Sequence, residues 1–417
     1  MPIRRLEDLS RAELARLGRE FMLYGHTYDR ALMPQVGMRL GGGKEIEPLS
    51  IWEWKGASPN YTRRMKRLMK IEGDDVTAIV KALQLDVGFP HEYMDVQFEL
   101  KPDGSAEFWL NHCGALMDVE KRGESAVVMM CHRIEDPTFD ATAFATNPRA
   151  RIRPLHRPPR RPSDRAPHCH WTIEIDPANE PVAPVAQTAA VADLPLARAA
   201  NEREPEGDPC GCIDYAGAFD PAFRLGDLST AALAAVAREF QIQTHLLASS
   251  AELALGARFG SGKAREILGQ QWIAVAWVAG QRLARALGRT EGGAAAVADV
   301  LRLHAALPPG FRRTAEIRAD RVRLGLEAAS RDLLDPEQPG WIGLLLRGTG
   351  RGIEAAAQAV DPRARLEALA VRDGCVTLEL SLDPARAPAE APKETAFMRL
   401  STATAWVFDT SEARLGR

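Results

Sequence analysis

One internal repeat constrains this chain more than anything else in it. Residues 5–73 align without a gap on residues 224–292, and 24 of the 69 positions are identical. LEDLS at 6–10 answers LGDLS at 225–229, Arg19-Glu20-Phe21 answers Arg238-Glu239-Phe240, and His26 answers His245. Unrelated sequences of this composition share far fewer positions, so the spacing reads as a tandem duplication. Later the offset falls to 214, where NPRARI at 147–152 resembles DPRARL at 361–366. The expected organisation is a first copy over 1–176, a Pro/Ala/Glu-rich linker over 177–220, a second copy over 221–383 and a C-terminal extension over 384–417.

Within each copy, helical periodicity comes first and strand alternation second. Ser10-x-x-Glu13 is a capping box ahead of Leu14, Leu17, Phe21 and Tyr24. Further helices are expected over about 26–40, from Ser58-Pro59 to Lys70, after Asp74-Asp75, and over 137–146. Strands are expected over 93–100, 106–113, 126–132, 149–154 and 170–175, with another possible at 397–408. The fold class is therefore α+β: each copy has a helical N-terminal half and then a mainly antiparallel sheet, and the two pack as a pseudo-dimer.

A net charge of −3 over 417 residues argues against nucleic acid as a partner. No apolar run reaches membrane-spanning length, so no membrane partner is expected. The expected compartment is the cytoplasm, the expected partner a small-molecule substrate, and a homodimer is compatible with the pattern.

Residues capable of chemistry crowd into the first copy. His112-Cys113, Cys131-His132 and His168-Cys169-His170 end three expected strands. Thiolate and imidazole are the ligands zinc and iron favour, so Cys113, Cys131, Cys169, His112, His168 and His170 are candidate metal ligands. Strand alternation would put Cys113, Cys131 and Cys169 on one face, with Trp109 beside Cys113 and Trp171 beside Cys169, and some histidines on the other. Candidate catalytic residues are Cys131, His132, Asp136 and His26. Arg133, Arg151 and Arg153 are candidate substrate contacts, because guanidinium forks suit carboxylates. The loop from Pro148 to Pro167 carries seven arginines and six prolines and could cover the site. In the second copy Leu345 and Leu346 stand where the first has Cys131 and His132, and Gly350 stands at Asp136, so the second copy reads as degenerate.

FWLNHC ending at Cys113, MMCHRIED with Cys131 and Asp136, ATNPRARI with Asn147, and SDRAPHCHW with Asp164, Cys169 and Trp171 together resemble the L-2-amino-thiazoline-4-carboxylic acid hydrolase-like family. The sequence departs from that pattern at Gly114, where the family has proline, and at Ser163. The resemblance implies hydrolysis of a small, carboxylated molecule such as a cyclic amidine or thiazoline. A metal or a cysteine nucleophile would serve. The alternative is a non-catalytic metal or ligand sensor, or an iron or copper redox enzyme, using the same residues.

Overall fold

The computed structural model describes residues 5–201 and 210–409. It shows helices combined with two antiparallel four-stranded sheets. Along the first half run α1 (Arg11–Arg39), α2 (Ile46–Leu68), α3 (Val76–Leu83), β1 (Met94–Leu100), β2 (Ala106–Cys113), α4 (Gly114–Glu120), α5 (Glu124–Val128), a π-helical segment (Met129–Ile134), α6 (Glu135–Phe144), β3 (Ala150–His156) and β4 (Cys169–Ile175). Two short helices follow, α7 (Ala186–Ala192) and α8 (Pro195–Arg198). The second half holds α9 (Thr230–Phe259), α10 (Ser261–Ala286), α11 (Gly293–Leu303), β5 (Phe311–Arg318), β6 (Arg321–Ala328), α12 (Trp341–Leu346), α13 (Arg351–Gln358), β7 (Ala364–Arg372) and β8 (Cys375–Leu382). A last helix, α14 (Thr402–Ala405), lies in the C-terminal extension. The strand orders are β1-β2-β4-β3 and β5-β6-β8-β7.

Ser10 and Ser229 cap the two long helices, each accepting from the backbone N–H three residues on. α1 then continues through His26 to Arg39 as one helix where two were expected. Gly25 is what α1 needs at its contact with the chain after α3, since a Cβ there would stand 3.0 Å from Val87. α2 begins at Ile46, twelve residues before the expected start, and carries Pro59 in its interior. Proline removes the N–H that would have bonded Lys55 O. The Thr188 hydroxyl of α7 donates to that carbonyl at 3.0 Å, and Asn60 Nδ2 donates to Gly56 O and Thr188 O at 2.9 Å each. Part of the expected linker is thus a helix that satisfies a defect in α2.

Helices from the two halves interleave. α1 packs on α9 and α10, and α2 packs on α9. Where α2 crosses α9, a Cβ on Gly56 would lie 2.2 Å from Ser250 Oγ. A buried ion pair pins the crossing: Arg64 Nε reaches Glu239 Oε1 at 2.6 Å and Nη2 reaches Oε2 at 3.0 Å. One hydrophobic core therefore runs from Leu6 to Met398 through both halves, and a second fills the space between α3, the first sheet and α6. No helix among the described residues is long and apolar enough to cross a membrane.

Two expected strands are helical. Residues 126–132 fall in α5 and the π-helical segment, and 397–408 form a short 3-10 turn followed by α14. Apolar residues at Val127, Val128, Met130 and Cys131 fit a helix lying on a sheet as well as they fit a strand, and a short apolar run does not distinguish the two. The C-terminal segment crosses back to the first half. Ser401 Oγ and Thr402 N donate to Asp118 at 2.8 and 2.7 Å, and Thr402 Oγ1 donates to Gly114 O at 2.8 Å.

Candidate functional site

The inner face of the first sheet, the underside of α6 and the middle of α1 leave a cavity of about 120 Å³ between them. That space admits a few waters or one small organic molecule, since an engineered cavity of about 150 Å³ takes up benzene. Its walls are mostly apolar, with Trp54, Phe89, Phe139 and Trp171 among them. Three cysteines reach it from three elements: Cys113 from the end of β2, Cys131 from the π-helical segment and Cys169 from the start of β4.

The cysteines come together by a route that strand alternation does not foresee. Along β2 the buried residues are Ala106, Phe108 and Leu110, and then Cys113. The pairing with β1 slips there, Val96 facing Leu110 while Asp95 faces His112. This bulge turns Cys113 onto the face of Leu110. Trp109 lies on the opposite face against His170, so it does not share a face with Cys113. Trp171 does share one with Cys169. Cys131 arrives from above the sheet on a helix.

The thiols are buried and protonated. Burial, and then the nearby Glu135 carboxyl, push Cys113 up to about 12 and hold Cys131 and Cys169 well above the usual thiol range. The Cys113 sulfur accepts a backbone hydrogen bond from Leu116 N at 3.3 Å. Glu135, one helical turn after Cys131, also lines the cavity. Burial and the adjacent Asp136 raise its carboxyl to about 8. Gly114 follows Cys113 where the resemblance expects proline, and a Cβ there would lie 2.1 Å from the Tyr93 ring. Tyr93 packs edge-on against His26, with ring centroids 5.3 Å apart.

The histidines stand elsewhere. His170 Nε2 pairs with Glu107 at 2.8 Å on the outer face of the sheet. His168 Nδ1 accepts from Cys113 N at 3.1 Å, and burial together with Arg160 lowers its pKa to about 4. His112 stacks on Trp406, and His132 Nε2 donates to Pro158 O at 2.6 Å. The residues therefore do not fit a zinc or iron centre as placed. The three thiols line the cavity while His112, His168 and His170 do not, and among the described residues no group of three His, Cys, Asp or Glu side chains is arranged to hold a metal.

Of the other candidates, His26 lines the cavity. Its Nε2 donates to Gly88 O at 3.1 Å, and burial depresses its pKa to about 4. His245 repeats the arrangement with Ala305 O at 3.0 Å, so the interaction is common to both halves. Asp136 pairs with Arg157, Arg133 with Glu47 at 2.6 Å, and Arg153 with Asp140 at 2.8 Å. Arg151 donates to backbone carbonyls, among them Ala150 O at 2.8 Å. None of these three arginines lines the cavity. From the Arg/Pro loop it is Pro158 that reaches the cavity, while Arg157 lies over the Trp171 ring.

The sequence reading missed Asp29, Arg30, Asp86 and Glu135, which all line the cavity, and Glu53, whose carboxyl meets that of Asp29. A signal for four of them was present. At offset 219 Asp29, Arg30 and Glu53 are replaced by Ala248, Ser249 and Trp272, and at offset 214 Glu135 is replaced by Thr349. Ionisable residues in one copy against small or apolar ones in the other mark positions that packing alone does not require.

No protein-family model, curated protein or solved structure matches this chain.

Proposed function

We propose that the chain is an enzyme acting hydrolytically on a small molecule held in this cavity, with Cys113 as nucleophile and Glu135 as its proton acceptor. In the same reading the second half is a degenerate duplicate packed against the first as a pseudo-dimer. The observation that carries the proposal is the convergence of three thiols and a carboxyl with a raised pKa on one apolar-walled cavity. Interleaving of α1 with α10 and of α2 with α9 is the pairing that two repeats related by a two-fold axis would make.

The chemistry follows from the resting protonation states. A thiol near 12 is a poor nucleophile unless a base takes its proton as it attacks. Glu135, near 8, supplies that base in the fraction of molecules where it is ionised. Sulfur then bonds to the electrophilic carbon of a cyclic amidine or thiazoline. The C=N electron pair moves to nitrogen, which takes the proton from Glu135. The bond from that carbon to the ring sulfur, or to the second ring nitrogen of an amidine, then breaks, and the departing atom leaves protonated. Water adds to the sulfur-bound carbon and passes a proton to Glu135, which returns it to the Cys113 sulfur as the carbon–sulfur bond to the enzyme breaks. The resemblance of FWLNHC and MMCHRIED to the thiazoline-carboxylate hydrolase-like pattern supports this reaction class.

The high thiol pKa values favour one other reading, a cavity that binds a ligand without turnover. Ring opening of a panel of small thiazolines and cyclic amidines, measured as release of thiol from the former and of amine from the latter, separates the two. Turnover that falls about a thousandfold in Cys113→Ser, with binding retained, supports the enzyme. Turnover unchanged in Cys113→Ser removes Cys113 as the nucleophile, and absence of turnover across the panel favours the binding protein.

A further inference from the structure

The α1 wall of the cavity holds a group that the proposed hydrolysis does not use. Asp29 lines the cavity, and its carboxyl meets that of Glu53, a fully buried residue on α2. Asp29 Oδ1 and Glu53 Oε1 are both buried with no donor besides the proton the two carboxyls share. His26 is 7% exposed, lines the same cavity three residues before Asp29, and its Nδ1 is equally without a partner. Since Nε2 faces a carbonyl and must carry the ring proton, Nδ1 is an acceptor. Asp29 and Glu53 thus satisfy each other only through a shared proton, and His26 Nδ1, one turn before Asp29 on α1, has no donor. Such a cluster is costly to bury unless something donates to it.

The surroundings supply few donors. Arg30 is the neighbouring cation; its Nε is committed to Asp118 at 2.9 Å, its Nη2 is buried without a partner, and Asp118 is held in turn by Ser401 and Thr402. From α2, Trp54 hydrogen-bonds Asp29, and the Tyr28 hydroxyl lies 3.4 Å from Glu53 Oε2. From α9 the backbone carbonyl of Leu247 reaches this neighbourhood, and from α10 the Gln271 amide does, which donates to Tyr28 O. Beyond Asp29 on the cavity wall stands Asp86, bonded to Tyr61 and Gly88 N. At offset 219 Ala248 and Trp272 replace Asp29 and Glu53, although His245 persists. A pair lost together is a pair with a joint task.

We propose that Asp29, backed by Glu53 and with His26 Nδ1 beside it, is a subsite for a protonated nitrogen of the ligand, such as an ammonium, amidinium or guanidinium group. This rests on the cavity being the ligand site proposed above, and it assigns the class of molecule that site accepts. A cationic N–H group can replace the proton the carboxyls share and also donate to the imidazole. Burial raises Asp29 to about 6 and Glu53 further, so the pair is partly protonated when empty. Binding a cation favours the ionised pair, and a proton leaves as the ligand enters.

Benzamidinium and its neutral isostere benzamide test the assignment on the full-length protein by calorimetry. Benzamidinium is expected to bind at least tenfold more tightly than benzamide. Its affinity should rise from pH 5 to pH 8, with proton release measurable in buffers of different ionisation enthalpy. Asp29→Asn should weaken benzamidinium about tenfold and leave benzamide within twofold, and Glu53→Gln, which removes a buried charge rather than adding one, should do the same. Equal binding of the two probes, or an unchanged benzamidinium affinity in both variants, overturns the cation subsite while leaving the cavity as a ligand site. Binding of neither probe overturns both, and neither outcome depends on Cys113.

Discussion

At the scale of the residue, the site is a set of groups held away from their ordinary protonation states. Glu135 sets the clearest expectation. Its carboxyl lies near 8 in the fold and near 4.5 in the unfolded chain. Between those values the folded protein binds the proton more strongly, so this stabilisation is complete below about pH 4.5 and is lost as pH rises through about 8. Glu135→Gln should therefore flatten the decline of melting temperature between pH 5 and pH 9, and should melt above the parent at pH 9. A parent profile that climbs across this range would show Glu135 ionised in the fold. The same variant should lower turnover by roughly 10²–10⁴-fold, the usual contribution of a positioned acid or base. Of these residues the cysteines were legible, because three Cys/His clusters in one copy are conspicuous. Asp29, Glu53 and Glu135 were harder to find, because a carboxylate in a helical stretch normally faces water, and in the sequence only their replacement in the second copy sets them apart.

At the scale of the element, the sequence states the hairpin well and the helix-to-sheet contacts poorly. β1 and β2 stand where alternation and the KPDGS turn put them. The bulge that delivers Cys113 to the cavity leaves no mark in a pattern of alternating residues. α2 was truncated in the sequence reading because proline usually starts or ends a helix. Here Thr188 of a distant segment satisfies the carbonyl that Pro59 leaves unpaired. Thr188→Val should thus cost about 1–3 kcal/mol, the penalty for a buried carbonyl without a donor, read as a lower denaturation midpoint. Gly114→Ala should displace the Tyr93 ring and, through it, the contact with His26. The expected readout is a drop in melting temperature with an altered near-ultraviolet dichroism, and an unchanged spectrum would show that the ring has room to move.

At the scale of the whole molecule, the two halves share a core rather than sitting side by side. The repeat was readable from residues alone, but its consequence was not, because identity at matched positions does not show which helix packs on which. The Arg64–Glu239 pair joins α2 of one half to α9 of the other, with Arg64 also donating to Ala197 O and Ala199 O at 2.8 Å. Glu239→Ala strands a buried guanidinium, and such losses typically cost about 3–5 kcal/mol. With a core common to both halves, that loss should lower one unfolding transition and not split it in two. Two separated calorimetric transitions would show that the halves fold independently.

The central claim is that Cys113 and Glu135 form a working pair inside the cavity of the first half. Alkylation by a small neutral thiol reagent, mapped by mass spectrometry across pH 6 to 10, tests it most directly. The account predicts that Cys113 labels from within the fold at a rate that rises through an apparent pKa near 8, and that Glu135→Gln abolishes this step. Labelling of Cys113 that stays absent up to pH 10, or that follows the same profile with and without Glu135, would contradict it.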